Sequence, residues 1–379
     1  MIADDTQTAP GVEDDSDDAP YEPTNQRKVL IQPYDYAVRT LMEMVIEGDL
    51  ILDPDYQRKY RWSDQKASRF IESIALNIPV PVFYFAEEPD GTFSVIDGQQ
   101  RLTSLFRYLK PQELSSVFGD DITELTLADL KVRSDLNGKK YADLERAERA
   151  LLSKRPLRCI VVLNESDETL KFEVFERLNS GSASLTDQEV RNCLYRGPLN
   201  ELLKELADNT QFKELVSLPD AAQKNMKDVE LVLRFFAYRE LNESSKYSDS
   251  YTEHLNTFME ENREISDKRR AQMRALFEET VGALHSSLGP SVAFRKPLDM
   301  GNPQSSAFAN NLINGSIYES QMVSVSKLIE AGDQLPADLR GRLLSAFTDP
   351  NYTGAVLQGG TAKKSKVLAR TRVLDALLV

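Results

Sequence analysis

The segment Phe93-Ser94-Val95-Ile96-Asp97-Gly98-Gln99-Gln100-Arg101-Leu102-Thr103-Ser104-Leu105 reads as a buried strand that turns through Asp-Gly into a helix. The first turn of a helix presents N–H groups with no partner inside the helix and carries the positive end of its dipole. It therefore holds a phosphate by directed hydrogen bonds and by field. Acidic residues ordinarily fill that turn. Here it carries Gln99, Gln100 and Arg101, an amide pair and a guanidinium fork suited to a bound phosphate or carboxylate, and Gly98 permits close backbone approach. Leu102, Leu105, Phe106 and Leu109 recur at helical spacing and anchor the helix in the core. The competing reading is an ordinary Asp97 N-cap followed by exposed polar residues.

A second segment, Asp53-Pro54-Asp55-Tyr56-Gln57-Arg58-Lys59-Tyr60-Arg61-Trp62-Ser63, lies upstream and leads into an amphipathic helix capped by Ser63, with Ala67, Phe70, Ile71 and Ile74 as its apolar stripe. Pro79 to Phe85 then reads as a strand, joined through Asp90-Gly91 to the strand that ends at Asp97, so a hairpin leads directly into the anion-binding turn. Arg58, Lys59, Arg61, Lys66 and Arg69 are interleaved with Tyr56, Tyr60 and Trp62, the only tryptophan. Bases mixed with aromatics suit a nucleotide or a nucleic acid, whereas a charge run alone is more often a solvated face.

Four blocks, "DPDYQRKYRW", "FIESIALNIPVPVFYF", "VIDGQQRLTSL" and "FERLNSGSASLTDQEVRN", resemble in this order the N-terminal domain of the GmrSD-type restriction endonucleases, whose hallmark is Asp-Gly-Gln-Gln-Arg. The resemblance runs over roughly residues 28 to 195. It implies an α+β fold of ParB/sulfiredoxin type with a small mixed sheet, followed by an α-helical domain. It also implies a nucleoside-triphosphate-binding and -hydrolysing component of a bacterial anti-phage defence or modification-dependent restriction system. Tyr56, Gln57 and Arg58 correspond to the first ParB-type box, and Asp97 to Arg101 to the phosphate-binding second box. By the logic of phosphoryl transfer, Asp97 holds Mg2+ or orients the attacking water, Gln99 and Gln100 position phosphates or water, and Arg101 neutralises charge. Gly98 and Thr103 belong to the same nucleotide site. Two alternatives stay open: a DNA-recognition or sensor subunit that binds nucleotide without turnover, and a ParB-like pocket that nicks DNA.

Further along, Leu157 to Leu163 reads as a β-branched strand central to a small sheet, and Leu170, Val174, Phe175 and Leu178 mark a helix that stops at Asn179-Ser180-Gly181. Thr186 and Glu189 form a capping-box pattern opening the next helix. Arg177, Asn179 and Ser180 either wall the nucleotide or form a helix corner held by its own caps. From Gly197-Pro198 onward the pattern is helical, giving expected units of 1–27 (acidic tail), 28–196 (nucleotide-binding) and 197–379 (helical).

The first 28 residues hold Asp4, Asp5, Glu13, Asp14, Asp15, Asp17, Asp18 and Glu22 against Arg27 and Lys28, in a stretch poor in large apolar side chains, which is the signature of a tail without a core. A net charge of −14 argues against indiscriminate coating of DNA. Local basic patches on the acidic body, Arg61 with Lys66 and Lys363, Lys364, Lys366 with Arg370, are the candidate nucleic-acid contacts. The Gly359 to Lys366 segment lacks the order of a P-loop. Cys159 and Cys193 fit no disulfide scaffold or metal spacing, and neither His254 nor His285 falls in an HNH pattern, so DNA cleavage is expected to need a partner nuclease. No signal peptide or transmembrane run is recognisable, which makes the cytoplasm the expected location and excludes a membrane partner.

Overall fold

The computed structural model describes residues 12–13, 28–52, 60, 62–118, 122–166, 168–179, 186–245, 247, 250–309 and 313–379. Packing divides the chain into Thr24–Ser184 and Leu185–Val379, the latter taking in a short strand, β1 (Val12–Glu13), near the N-terminus. The rest of the acidic tail lies outside the described residues.

The first unit is α+β, as the sequence implies. Its strands are β2 (Ile31–Ala37), β3 (Leu50–Ile51), β4 (Phe83–Glu87), β5 (Phe93–Asp97) and β6 (Pro156–Val162), in the order β2-β6-β4-β5-β3. The sheet is mixed: β2 runs antiparallel to β6, β4 parallel to β6, β5 antiparallel to β4, and β3 parallel to β5. β6 therefore lies inside the sheet, where its Cys159, Val161 and Val162 are buried. Burial pushes the Cys159 thiol up to about 12, so it stays protonated as a packing group. The expected strand at Pro79–Phe85 starts later, at Phe83, because Pro79 and Pro81 have no N–H to give a ladder. β2 escapes a period-2 reading because Pro33 and Asp35 interrupt it, and it sits at the sheet edge, where proline is tolerated.

Helices α1 (Val38–Glu47), α2 (Asp64–Ala75), α3 (Gln99–Leu109), α4 (Pro111–Phe118), α5 (Arg146–Ser153) and α6 (Glu168–Asn179) complete this unit. The expected stripe of α2, Ala67, Phe70, Ile71 and Ile74, is buried together with Leu102, Leu105 and Phe106 of α3 and with Phe83, Phe85 and Val95 of the hairpin. That shared core fixes both helices against the sheet. It thereby fixes where α3 begins.

The second unit is helical: α7 (Asp187–Leu194), α8 (Pro198–Ala207), α9 (Thr210–Val216), α10 (Asp220–Lys224), α11 (Lys227–Arg239), α12 (Tyr251–Glu261), α13 (Asp267–Ser287), α14 (Gly315–Ala331), α15 (Leu339–Ser345), α16 (Pro350–Leu357) and α17 (Lys364–Leu378). A short strand, β7 (Ile313–Asn314), pairs in parallel with β1. The Thr186–Glu189 capping box opens α7 as read. α7 packs on α11 and α12, with fully buried Arg191 bonded to Asn256 and Gln188, so the packing boundary at 184/185 precedes the expected 196/197.

His254 lies in this unit with its Nε2 on the Ala237 carbonyl and its ring against Tyr238 and Tyr247. Burial lowers its pKa to about 4. A histidine pKa depressed on folding gives stability that is present above the unfolded value of about 6.5 and lost as the pH falls toward 4, because the unfolded chain binds the proton first. Acidification from pH 7 to 4.5 should therefore cost about 2 kcal/mol through this residue. Urea melts of the parent and His254→Gln at both pH values test this, with the acid loss smaller by that amount in the variant.

Candidate phosphate-binding turn

The strand-to-helix turn has a glycine at the cap. Gly98 is the N-cap of α3, at φ 111° and ψ 3°, and so supplies no capping side chain, and no acid stands in the first turn. The competing Asp97 cap does not form. Elsewhere side-chain oxygens close helix starts: Ser63 for α2, Thr186 for α7, Ser250 for α12, Ser266 for α13 and Asn314 for α14. The α3 ladder starts with Leu102 N on Gly98 O at 2.9 Å. Both glutamines are half-buried at this end.

Gly98 approaches the protein itself as closely as it was expected to approach a ligand. A Cβ at this position would lie 2.4 Å from Cδ1 of Phe83. The left-handed backbone and the ring beneath it both demand glycine.

Arg101 points inward, contrary to its expected role as a direct phosphate ligand. It is 6% exposed. Its Nη1 donates to the Pro81 carbonyl, and its Nη2 donates to the Val82 carbonyl at 3.1 Å and to Asp97 Oδ2 at 2.9 Å, while the guanidinium lies 4.5 Å from the centre of the Phe83 ring. Burial lowers its pKa and Asp97 opposes that shift, so the group remains a cation. The fork is occupied by the entry to β4. What it presents outward is an oriented Asp97, whose carboxylate is part-exposed and held by one oxygen.

The outer face of α3 fastens the end of the first aromatic-basic segment. Trp62 N donates to Gln100 Oε1 at 3.3 Å. Ser104 Oγ donates to the Gln100 carbonyl at 2.7 Å and so accepts from the Tyr60 hydroxyl, 2.9 Å away. Arg107 reaches Asp64 at 3.0 Å and lies over the Tyr60 ring, and Trp62 packs edge-on against Phe70. Tyr60, read only as one of the aromatics among the bases, is a positioning residue, as are Ser104 and Arg107, which sequence reading missed; helical spacing of Gln100, Ser104 and Arg107 was the available signal. Tyr56, Gln57, Arg58 and Arg61 lie outside the described residues, but their neighbours Tyr60 and Trp62 end beside Gln100.

Thr103 is buried, and its hydroxyl has no hydrogen-bond partner among the described residues. Arg177 is exposed on α6 and pairs with Glu173 one turn earlier; α6 packs on β5, which ends at Asp97. Asn179 ends α6, and Ser180 lies outside the described residues.

The C-terminal cations are mostly spent on the fold. Lys364 Nζ donates to the carbonyls of Glu243 and Ser245, and Lys366 Nζ to those of Gln358 and Gly359. Arg370, 1% exposed, pairs with Glu319, which Arg234 also holds, and donates to Thr361 O. These three tether α17 and do not form the expected nucleic-acid face, whereas Lys363 and Lys66 are exposed, the latter with its ammonium 4.6 Å from the Trp62 ring centre.

No helix among the described residues is long and apolar enough to cross a membrane. A search of curated proteins gave no match. A family model described as GmrSD restriction endonuclease, N-terminal domain, matches residues 38–196, from the start of α1 to just beyond α7. That match takes in the strands β3 to β6, the Asp97–Arg101 turn and the capping box of α7. Residues 38–196 are thus similar to the N-terminal domain of the GmrSD restriction endonucleases.

Proposed function

We propose that the turn at the start of α3 binds the phosphates of a nucleoside triphosphate and that the domain hydrolyses it in the service of restriction. The observation that carries this reading is the glycine-capped start of α3, with no acid in its first turn and bordered by Asp97, with Gln100 tied to Trp62. Backbone N–H groups of the first turn cradle the phosphates. Gln99 and Gln100 position the phosphates or the water, and Gln57 and Arg58 close the pocket from the other side. Asp97 orients the attacking water or offers a metal ligand.

The donor set suits Mg2+ carried in by the nucleotide. The described residues hold no group of three or more side chains that would cage a metal, and Mg2+ is ordinarily bound through one or two carboxylates plus substrate phosphates. Bound there, Mg2+ would neutralise charge on the transferring phosphoryl group. Arg101 serves from within by fixing the Asp97 carboxylate. DNA is the expected partner, with exposed Lys66 as its contact on this unit.

The test screens the four ribonucleoside triphosphates for binding and phosphate release, with and without plasmid DNA. At least one should bind and be hydrolysed. Asp97→Asn should lower turnover by roughly a hundredfold or more while retaining binding. Binding without phosphate release would favour a sensor that switches without turnover. Metal-dependent relaxation of supercoiled plasmid, lost in Asp97→Asn, would favour a nickase.

A further inference from the structure

A cavity of about 220 Å³ lies between the C-terminal halves of α2 and α3, the 127–136 connection and α5, away from the turn just described. Its wall is largely apolar, with Ile71, Leu127, Leu136, Leu144 and Leu152 all buried. Tyr108, Arg133 and Glu148 break that wall. Tyr108 is fully buried, and its hydroxyl has no hydrogen-bond partner among the described residues. An unsatisfied buried hydroxyl costs about 1–3 kcal/mol, so a tyrosine kept there points to a partner supplied from outside the chain.

The other polar groups at the cavity are committed. Arg133 pairs with Glu148 at 2.6 Å and with Asp135 at 2.7 Å. A water molecule needs two to four polar partners to stay in such a space, and the wall adds Tyr108 alone to that pair. By size, an apolar cavity on the order of 150 Å³ accommodates benzene. Ala147, exposed on α5, also borders the cavity, which is open to solvent on that side.

We infer that this cavity binds a compact, mainly apolar small molecule, one ring in size, that carries a single hydrogen-bonding group for the Tyr108 hydroxyl. The site is distinct from the phosphate-binding turn: Tyr108 lies nine residues beyond Gln99, roughly 14 Å along α3 at the helical rise. It is joined to that turn by the helix itself. Burial, then the charge of Glu148, raises the Tyr108 pKa well above the ordinary value, so the phenol is neutral and can donate or accept.

Phenol and toluene are the probes, since they share a ring and differ in the hydroxyl. Binding to the full chain is followed by saturation-transfer NMR titration, with the melting temperature of each variant measured alongside. Phenol should bind saturably. Tyr108→Phe should be at least as stable as the parent, bind phenol about fivefold or more weakly, and bind toluene within twofold of the parent. Ala75→Phe, which fills the cavity from α2, should abolish both; if it does not fold, Ala147→Phe at the mouth replaces it. Absence of saturable binding by either probe overturns the inference. So does a folded cavity-filling variant that binds both unchanged, or a Tyr108→Phe protein with unchanged phenol affinity.

Discussion

Gly98→Ala is expected to destabilise the N-terminal unit by about 2–6 kcal/mol, as the sum of two independent costs of roughly 1–3 kcal/mol each. The first is backbone strain, because residue 98 sits at φ 111°, where a Cβ is disfavoured. The second is overpacking, because that Cβ would stand 2.4 Å from Cδ1 of Phe83, and Phe83 is fully buried within the sheet and cannot swing aside. Thermal denaturation of the single variant checks the sum. Phe83→Leu separates the parts: with the ring removed, Gly98→Ala should retain the strain and lose much of the clash, so the two changes should be less than additive. An unaltered melting temperature in Gly98→Ala would contradict the geometry of the turn.

Local pattern carried much of this architecture. The α2 stripe, the Asp90-Gly91 hairpin, the interior strand β6 and the Thr186 capping box each follow from spacing within one or two elements, and each is present. Partners distant in sequence carried the rest. Gly98 reads as a residue that lets a ligand approach, but the ring that requires it belongs to β4, and only the β4–β5 pairing sets Phe83 beneath it. Lys364, Lys366 and Arg370 read as a basic face, since charge is visible in a sequence and its acceptors are not. For Lys364 and Arg370 those acceptors, the Glu243 and Ser245 carbonyls and the Glu319 carboxylate, come from other helices and their connections, while Lys366 turns back on the Gln358 and Gly359 carbonyls just before its own helix. The hold of Tyr60 and Trp62 on α3 is invisible for the same reason.

Arg101 puts the site to its sharpest test, because position and environment make opposite forecasts. As a cation in the first turn of α3 facing solvent, it would oppose the helix dipole by roughly 0.3–1 kcal/mol, and its removal would leave the apo protein unchanged or slightly more stable. As the buried group observed, its removal strands the Pro81 and Val82 carbonyls, frees Asp97 and empties the space over Phe83. Breaking a buried ion pair by deleting one member costs about 3–5 kcal/mol, and the part-exposure of Asp97 places this case near the lower end. Arg101→Ala should therefore melt well below the parent without nucleotide. Arg101→Lys should recover only part of the loss, since an ammonium on a flexible stem cannot reproduce a planar fork that serves two carbonyls and a carboxylate together. Nucleotide affinity, measured where both variants remain folded, should fall through the loss of a fixed Asp97 and a shifted α3 start, in proportion to the loss of stability. A variant that keeps the parent's melting temperature while losing triphosphate binding would return Arg101 to the phosphate and refute its inward role.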